Sequence, residues 1–234
     1  MFSRIVLTAL AAGVLAGVCV FVAHMLTTTP LIQQAEVYEL SPASASHTHN
    51  NGNAESKDHS HQNTAVEESM AELFQRHGLT LVADLLMSIG FGFALIGAII
   101  LSGREIDWRQ GLVWGLCGFA AFYVSPTFGL PPEMPGMVAA DVTERQIWWV
   151  LTAAAAIAGL ALIFFVGKGI SLILAAILIV LPHIIGAPGV ELQSGDLPAE
   201  LAARFAVVSL VVTGLFWLLL GGLTGFFYDR FGRA

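Results

Sequence analysis

Residues 79–101 read LTLVADLLMSIGFGFALIGAIIL. This stretch carries one charged side chain, Asp84, and is longer than the ~20 residues a helix needs to cross a ~30 Å hydrocarbon layer. In lipid the backbone must satisfy its own hydrogen bonds, and a single apolar segment does that as an α-helix. Five more apolar stretches flank it: Ile5–Met25, Gly111–Phe128, Ile147–Val166, Ile170–Ile185 and Phe205–Tyr228. Ile170–Ile185 is the shortest. The composition agrees, with 56 % hydrophobic and 12 % charged residues, against about 25 % charged in soluble domains. The expectation is an all-α integral membrane protein of about six transmembrane helices with a long, flexible, His-bearing loop after the first.

The expected organisation is a first transmembrane helix over residues 1–26 and a polar extracytoplasmic loop over 27–78. A five-helix membrane bundle over 79–228 and a short cytoplasmic tail over 229–234 complete it. The first stretch is read as an uncleaved helix, because its apolar run is long for a signal-peptide core and no small-x-small cleavage site follows. Orientation rests on basic residues near span ends. Six spans put Arg4, Arg104, Arg109, Lys168, Arg230 and Arg233 on one side, on short segments. Lys57, Arg76, Arg145 and Arg204 fall on the other side, spread over longer loops. Both termini are therefore expected in the cytoplasm, and the acidic loops outside, where they concentrate cations.

A net charge of −7 argues against nucleic acid as a partner, since that needs clustered Lys and Arg. Cys19 and Cys117 both lie in apolar stretches and read as small packing residues rather than a disulfide framework. The chain has no phosphate-binding loop, no His-Glu-x-x-His helix and no nucleophile elbow. An enzyme is not expected, nor a tightly bound cofactor.

Residues 41–69 are rich in Ser, Pro, Asn, Glu and His and poor in large apolar side chains. Such a segment buries too little to offset the entropy of ordering and is expected to be a flexible tether. It holds His47-Thr48-His49 and His59-Ser60-His61. In an extended chain, residues i and i+2 project to one side, so each pair offers two imidazoles to one ion. With Asp58 or Glu55 nearby, the pairs suit divalent transition metals. The alternative is a polar linker that merely tolerates histidine. A mobile multi-His segment binds weakly and exchanges quickly, which fits ion capture better than catalysis.

Ionisable residues at membrane depth are functional candidates. Asp84 lies in the second span. His24 closes the first and reads as interfacial. His183 follows Pro182 near the outer end of the fifth; it is either an ion ligand or a hydrogen-bonded structural histidine. The proline-rich run Gly129–Met137 is expected to dip toward the membrane or cap the bundle, with Glu133, Met134 and Met137 facing a passing cation or packing. Asp141 with Glu144 has capping spacing ahead of the fourth span. Gly13/Gly17, Gly111/Gly115 and Gly221/Gly225 have the spacing that lets helices approach closely in lipid. The candidate metal-handling residues are thus His47, His49, His59, His61, His183, Glu133 and Asp84.

Several motifs in order resemble the CbtA family, a predicted cobalt transporter subunit. They are Thr29-Pro30-Leu31-Ile32 with Glu36-Val37-Tyr38-Glu39, then Gly129 through Met137 leading to Asp141, and Arg145-Gln146-Ile147-Trp148-Trp149. Leu181 through Pro188 and Leu197-Pro198-Ala199-Glu200 through Ala206 follow. The resemblance implies cobalt uptake linked to cobalamin synthesis, a bacterial inner-membrane location, and a small CbtB-like partner with one membrane helix. Co²⁺ would be the transported ion. The alternative is a non-conducting metal-binding accessory or scaffold subunit.

Overall fold

The computed structural model of the protein describes residues 2–39, 70–189 and 197–233. Its elements are helical throughout these residues. Helix α1 is Phe2–Leu26, α2 Thr28–Glu39 and α3 Met70–Ser102. Helix α4 is Trp108–Phe119, continued by a π-helical stretch, Ala120–Val124, and a last α turn, Ser125–Thr127. Helix α5 is Val142–Ala161 with a π-helical end, Leu162–Val166. Helix α6 is Ile170–Ile185 and α7 is Ala199–Gly232.

Four helical stretches are long and apolar enough to cross a membrane: Phe2–Leu26, Leu73–Ser102, Val142–Val166 and Ala199–Gly232. The other two expected spans are helical but shorter, so length and apolarity by themselves do not reach the expected six. Helix α4 runs twelve residues before its π-helical stretch begins. Helix α6 has 16 residues, ~24 Å at 1.5 Å per residue. It runs through Pro182 and stops at Gly186, whose φ of 90° favours glycine.

The described parts of residues 27–78 are helical rather than irregular. Helix α2 forms because Leu31 and Ala35, one turn apart, bury against Met134 and Phe205. Helix α3 begins at Met70, nine residues before the apolar run quoted above. The four loop histidines, His47, His49, His59 and His61, lie outside the described residues.

The glycine pairs set the packing. A Cβ on Gly111 would collide with the Gly221 carbonyl oxygen, one on Gly115 with the Trp217 carbonyl, and one on Gly225 with the Asp107 carbonyl. Helices α4 and α7 are therefore in backbone contact, as small residues allow in lipid. Gly13 and Gly17 bring α1 equally close to α3 at Ile89 and Leu85. Around these crossings Ala12, Ala16, Leu95, Ile99, Trp217 and Leu220 form the main core. Helices α5 and α6 pack on each other and reach the rest chiefly through the end of α4.

Side-chain contacts identify which helix ends meet. Arg4 Nε donates to the Tyr228 carbonyl at 2.8 Å, and the guanidinium lies 3.6 Å from the Tyr228 ring centroid. The start of α1 and the end of α7 are thus neighbours. Arg104 Nη2 donates to the Phe164 carbonyl at 3.0 Å, joining the segment after α3 to the end of α5. Near the end of α1, His24 meets Asp84 in the middle of α3, and His183 near the end of α6 meets Ser125 at the end of α4.

Candidate functional site

A cavity of about 370 Å³ lies at the end of the bundle where α1 finishes. Its walls come from α1 (His24, Met25), α2 (Thr28, Thr29, Ile32), α3 (Arg76, His77, Thr80) and α7 (Phe205, Ser209, Thr213). Tyr123 of the π-helical stretch and Pro132 of the proline-rich run complete it. Hydroxyls and imidazoles dominate its polar lining, which is unusual in so apolar a chain.

The Gly13/Gly17 crossing builds this wall. Gly13 sits opposite Ile89 and Gly17 opposite Leu85, an antiparallel register. Asp84 stands two turns along α3 from His77, on the same face. His24 Nδ1 lies 3.1 Å from Asp84 Oδ2. A carboxylate only accepts, so Nδ1 is the donor and a neutral His24 keeps its lone pair on Nε2. The side chains of this pair are 30 % and 16 % exposed, so it is neither dry nor fully solvated. Ser88 Oγ donates to the Asp84 carbonyl at 2.5 Å.

His77 Nδ1 is buried without a hydrogen-bond partner. The Tyr123 hydroxyl lies toward Ser209 and Thr213 yet closes no hydrogen bond. The cationic Arg76 on the same wall is offset by Glu36, whose Oε1 lies 2.5 Å from Nη2. Deeper in the bundle, three aromatic rings that line a separate space pack together. The Phe122 and Trp217 rings stack at 5.6 Å between centroids, and Phe91 touches both at 5.3 and 4.9 Å.

The sequence candidates separate in space. Asp84 joins this cavity through His24. Glu133 forms an ion pair with Arg145, Oε2 to Nη2 at 2.6 Å, beside the cavity-lining Pro132. His183 stands elsewhere, its Nε2 3.4 Å from Ser125 Oγ and its ring edge-on to Phe128 and Trp148. Met134 is buried in the cluster with Leu31, Ala35 and Phe205, so the proline-rich run caps the bundle. Asp141 caps α5, accepting from the Thr143 and Glu144 amides at 2.9 and 3.2 Å. Among the described residues no three His, Cys, Asp or Glu side chains converge on one point.

Sequence reading missed His77 and the partnership of His24 with Asp84. His77 fell in the stretch read as loop. Its seven-residue spacing from Asp84 is the signal that an earlier helix start would have revealed.

A second space, of about 990 Å³, opens between α3, α4 and α5. Ala94, Leu95, Ala98, Val113, Ile157 and Phe164 give it an apolar lining, with Arg104, Glu105 and Gln110 at one end. No curated protein and no solved structure matches the chain. A family model described as "probable cobalt transporter subunit (CbtA)" matches residues 2–229. The chain is thus a multi-pass, all-α membrane protein that belongs to the CbtA family of probable cobalt transporter subunits.

Proposed function

We propose that this subunit imports divalent transition metal, Co²⁺ first, in support of cobalamin synthesis, crossing the bacterial inner membrane six times with both termini in the cytoplasm. One observation carries the reading. The His-bearing segment leaves α2 and enters α3, and both helices wall the polar cavity. An ion captured by His47, His49, His59 or His61 would be held on a segment joined at both ends to helices that line this opening. Transition-metal ions prefer such nitrogen ligands, which bind in their neutral form. The six-pass arrangement is supported by the contact of Arg4 with Tyr228, which sets the start of α1 beside the end of α7. The likeness to CbtA supports a single-helix CbtB-like partner.

The test is ⁵⁷Co²⁺ accumulation in cells lacking other cobalt importers, expressing the chain alone, with the partner, or neither. Replacing the four loop histidines by Ala should lower uptake at low metal concentration and leave it near normal when metal is abundant. Unchanged uptake at every concentration would remove the capture role.

A second reading, a metal-binding subunit that does not conduct alone, is favoured by the aromatic layer. Beyond Tyr123 and Thr213 the Phe91, Phe122 and Trp217 rings offer a hydrated cation no ligand, and desolvating such an ion costs many kcal/mol. Uptake that needs the partner in every case would favour this second reading.

A further inference from the structure

We infer that the space between α3, α4 and α5 is a site for one membrane phospholipid whose headgroup carries a primary ammonium. Its phosphate lies on Arg104, its ammonium on Glu105 and one acyl chain in the recess. Such a site stands whether or not the chain conducts metal. Depth, lining and charge all fit.

On α3 the recess runs from Phe91 to Ser102, ~17 Å at 1.5 Å per residue. On α4 it runs a similar distance, from Gln110 to Phe122. One leaflet supplies about half of the ~30 Å hydrocarbon core, so the recess is as deep as one leaflet. The packed rings of Phe91, Phe122 and Trp217 bound its inner end. A spanning helix from another protein or a second copy needs twice that depth, whereas an acyl chain ends at the midplane.

The small side chains of Ala94, Ala98 and Ala121, with Gly118, leave about 990 Å³ of space. Ile157 and Phe164 on its α5 side are 44 % and 45 % exposed, so the recess opens outward and not into the protein's own core. Water gains no partner against such walls, and an empty recess forfeits dispersion contacts. Hydrocarbon supplies them.

The charged groups lie at one end only, where α3 stops. Arg104 reaches across this mouth. Its Nη2 donates to the Phe164 carbonyl at 3.0 Å, and its guanidinium lies 5.4 Å from the Phe165 ring centroid. A guanidinium has five N–H donors, so Nε and Nη1 are left for a phosphate, which such a fork takes in bidentate fashion. Glu105, next in the chain, is exposed and pairs with no cation among the described residues. A primary ammonium brings three N–H donors, and the Glu105 carboxylate and Gln110 amide oxygen can accept them. Adjacent cation and anion thus match a zwitterion. A purely anionic headgroup would meet Glu105 as a like charge.

The test is native mass spectrometry of the purified full chain in detergent, with phosphatidylethanolamine, phosphatidylcholine or phosphatidylglycerol added one at a time. One phosphatidylethanolamine should stay bound. It should bind about fivefold more tightly than phosphatidylcholine, whose quaternary ammonium has no N–H to give; that factor is the upper part of the range for a partly exposed ion pair. Glu105→Gln should erase the preference, and Arg104→Gln should weaken both lipids by a similar factor. Ala98→Phe, which fills the recess, should weaken all three. The comparison of lipids on the parent chain needs no variant to fold. Equal binding of the three lipids, tighter binding of phosphatidylglycerol, or a preference that survives Glu105→Gln would overturn the site. So would a lipid-free dimer as the stable species, which would give the recess to a second copy of the chain.

Discussion

Glu133 shows how one residue can read two ways. Its position in a proline-rich outer run suggests a cation contact, yet its carboxylate is held by Arg145 at 2.6 Å, with both side chains about three-quarters shielded. Glu133→Ala would leave a partly buried guanidinium without its counter-charge. The expected cost is about 1 kcal/mol, the upper part of the range for a partly exposed pair, seen as a lower melting temperature in detergent. The exchange Glu133→Arg with Arg145→Glu should recover stability and cobalt uptake if the pair is structural. Recovered stability with lost uptake would return Glu133 to the list of ligands. His183 has a similar duality, and its bond to Ser125 between two aromatic edges joins α6 to α4. His183→Asn should disturb that junction while leaving cobalt uptake within about twofold, measured by ⁵⁷Co²⁺ accumulation. A tenfold loss there would make His183 a ligand after all.

At the scale of elements, the glycine pairs decide how closely the helices pack. A side chain at Gly115 has no room against the Trp217 carbonyl, since backbone cannot yield as a flexible side chain can. Gly115→Val should cost at least the ~1–3 kcal/mol typical of overpacking, with poor recovery of monodisperse protein on size exclusion. Gly97→Ala, where a Cβ meets nothing within 4 Å, is the control and should behave as the parent. The spacing of these glycines was visible in the sequence, as was the Asp141 cap. Helix α2 was not visible as a helix, because Leu31 and Ala35 have value as an apolar stripe only once Met134 and Phe205 arrive from distant parts of the chain. The π-helical stretch Ala120–Val124 was equally hidden. It belongs to a run of ordinary helix formers, and a local widening of this kind depends on what the turn packs against.

Across the whole molecule, the contact between Arg4 and Tyr228 sets the first and last helices side by side, antiparallel. Reporter fusions at each end should therefore report the same compartment, the cytoplasm if the basic residues near Arg4, Arg104, Lys168 and Arg230 orient the chain. Opposite compartments would break the six-pass reading. By itself the sequence determined that this is a helical membrane protein, where its apolar runs lie, and that histidine and carboxylate are its candidate ligands. Those properties depend on composition and on periodicity within a single segment, and both are local. Only the tertiary structure decided that His24 and His77 line one cavity, with Asp84 bonded to His24, while Glu133 and His183 are engaged elsewhere. That outcome depends on the register between α1 and α3, set by Gly13 and Gly17 against residues more than sixty positions away. No local pattern encodes such a register, because it arises from how closely two helix backbones can approach.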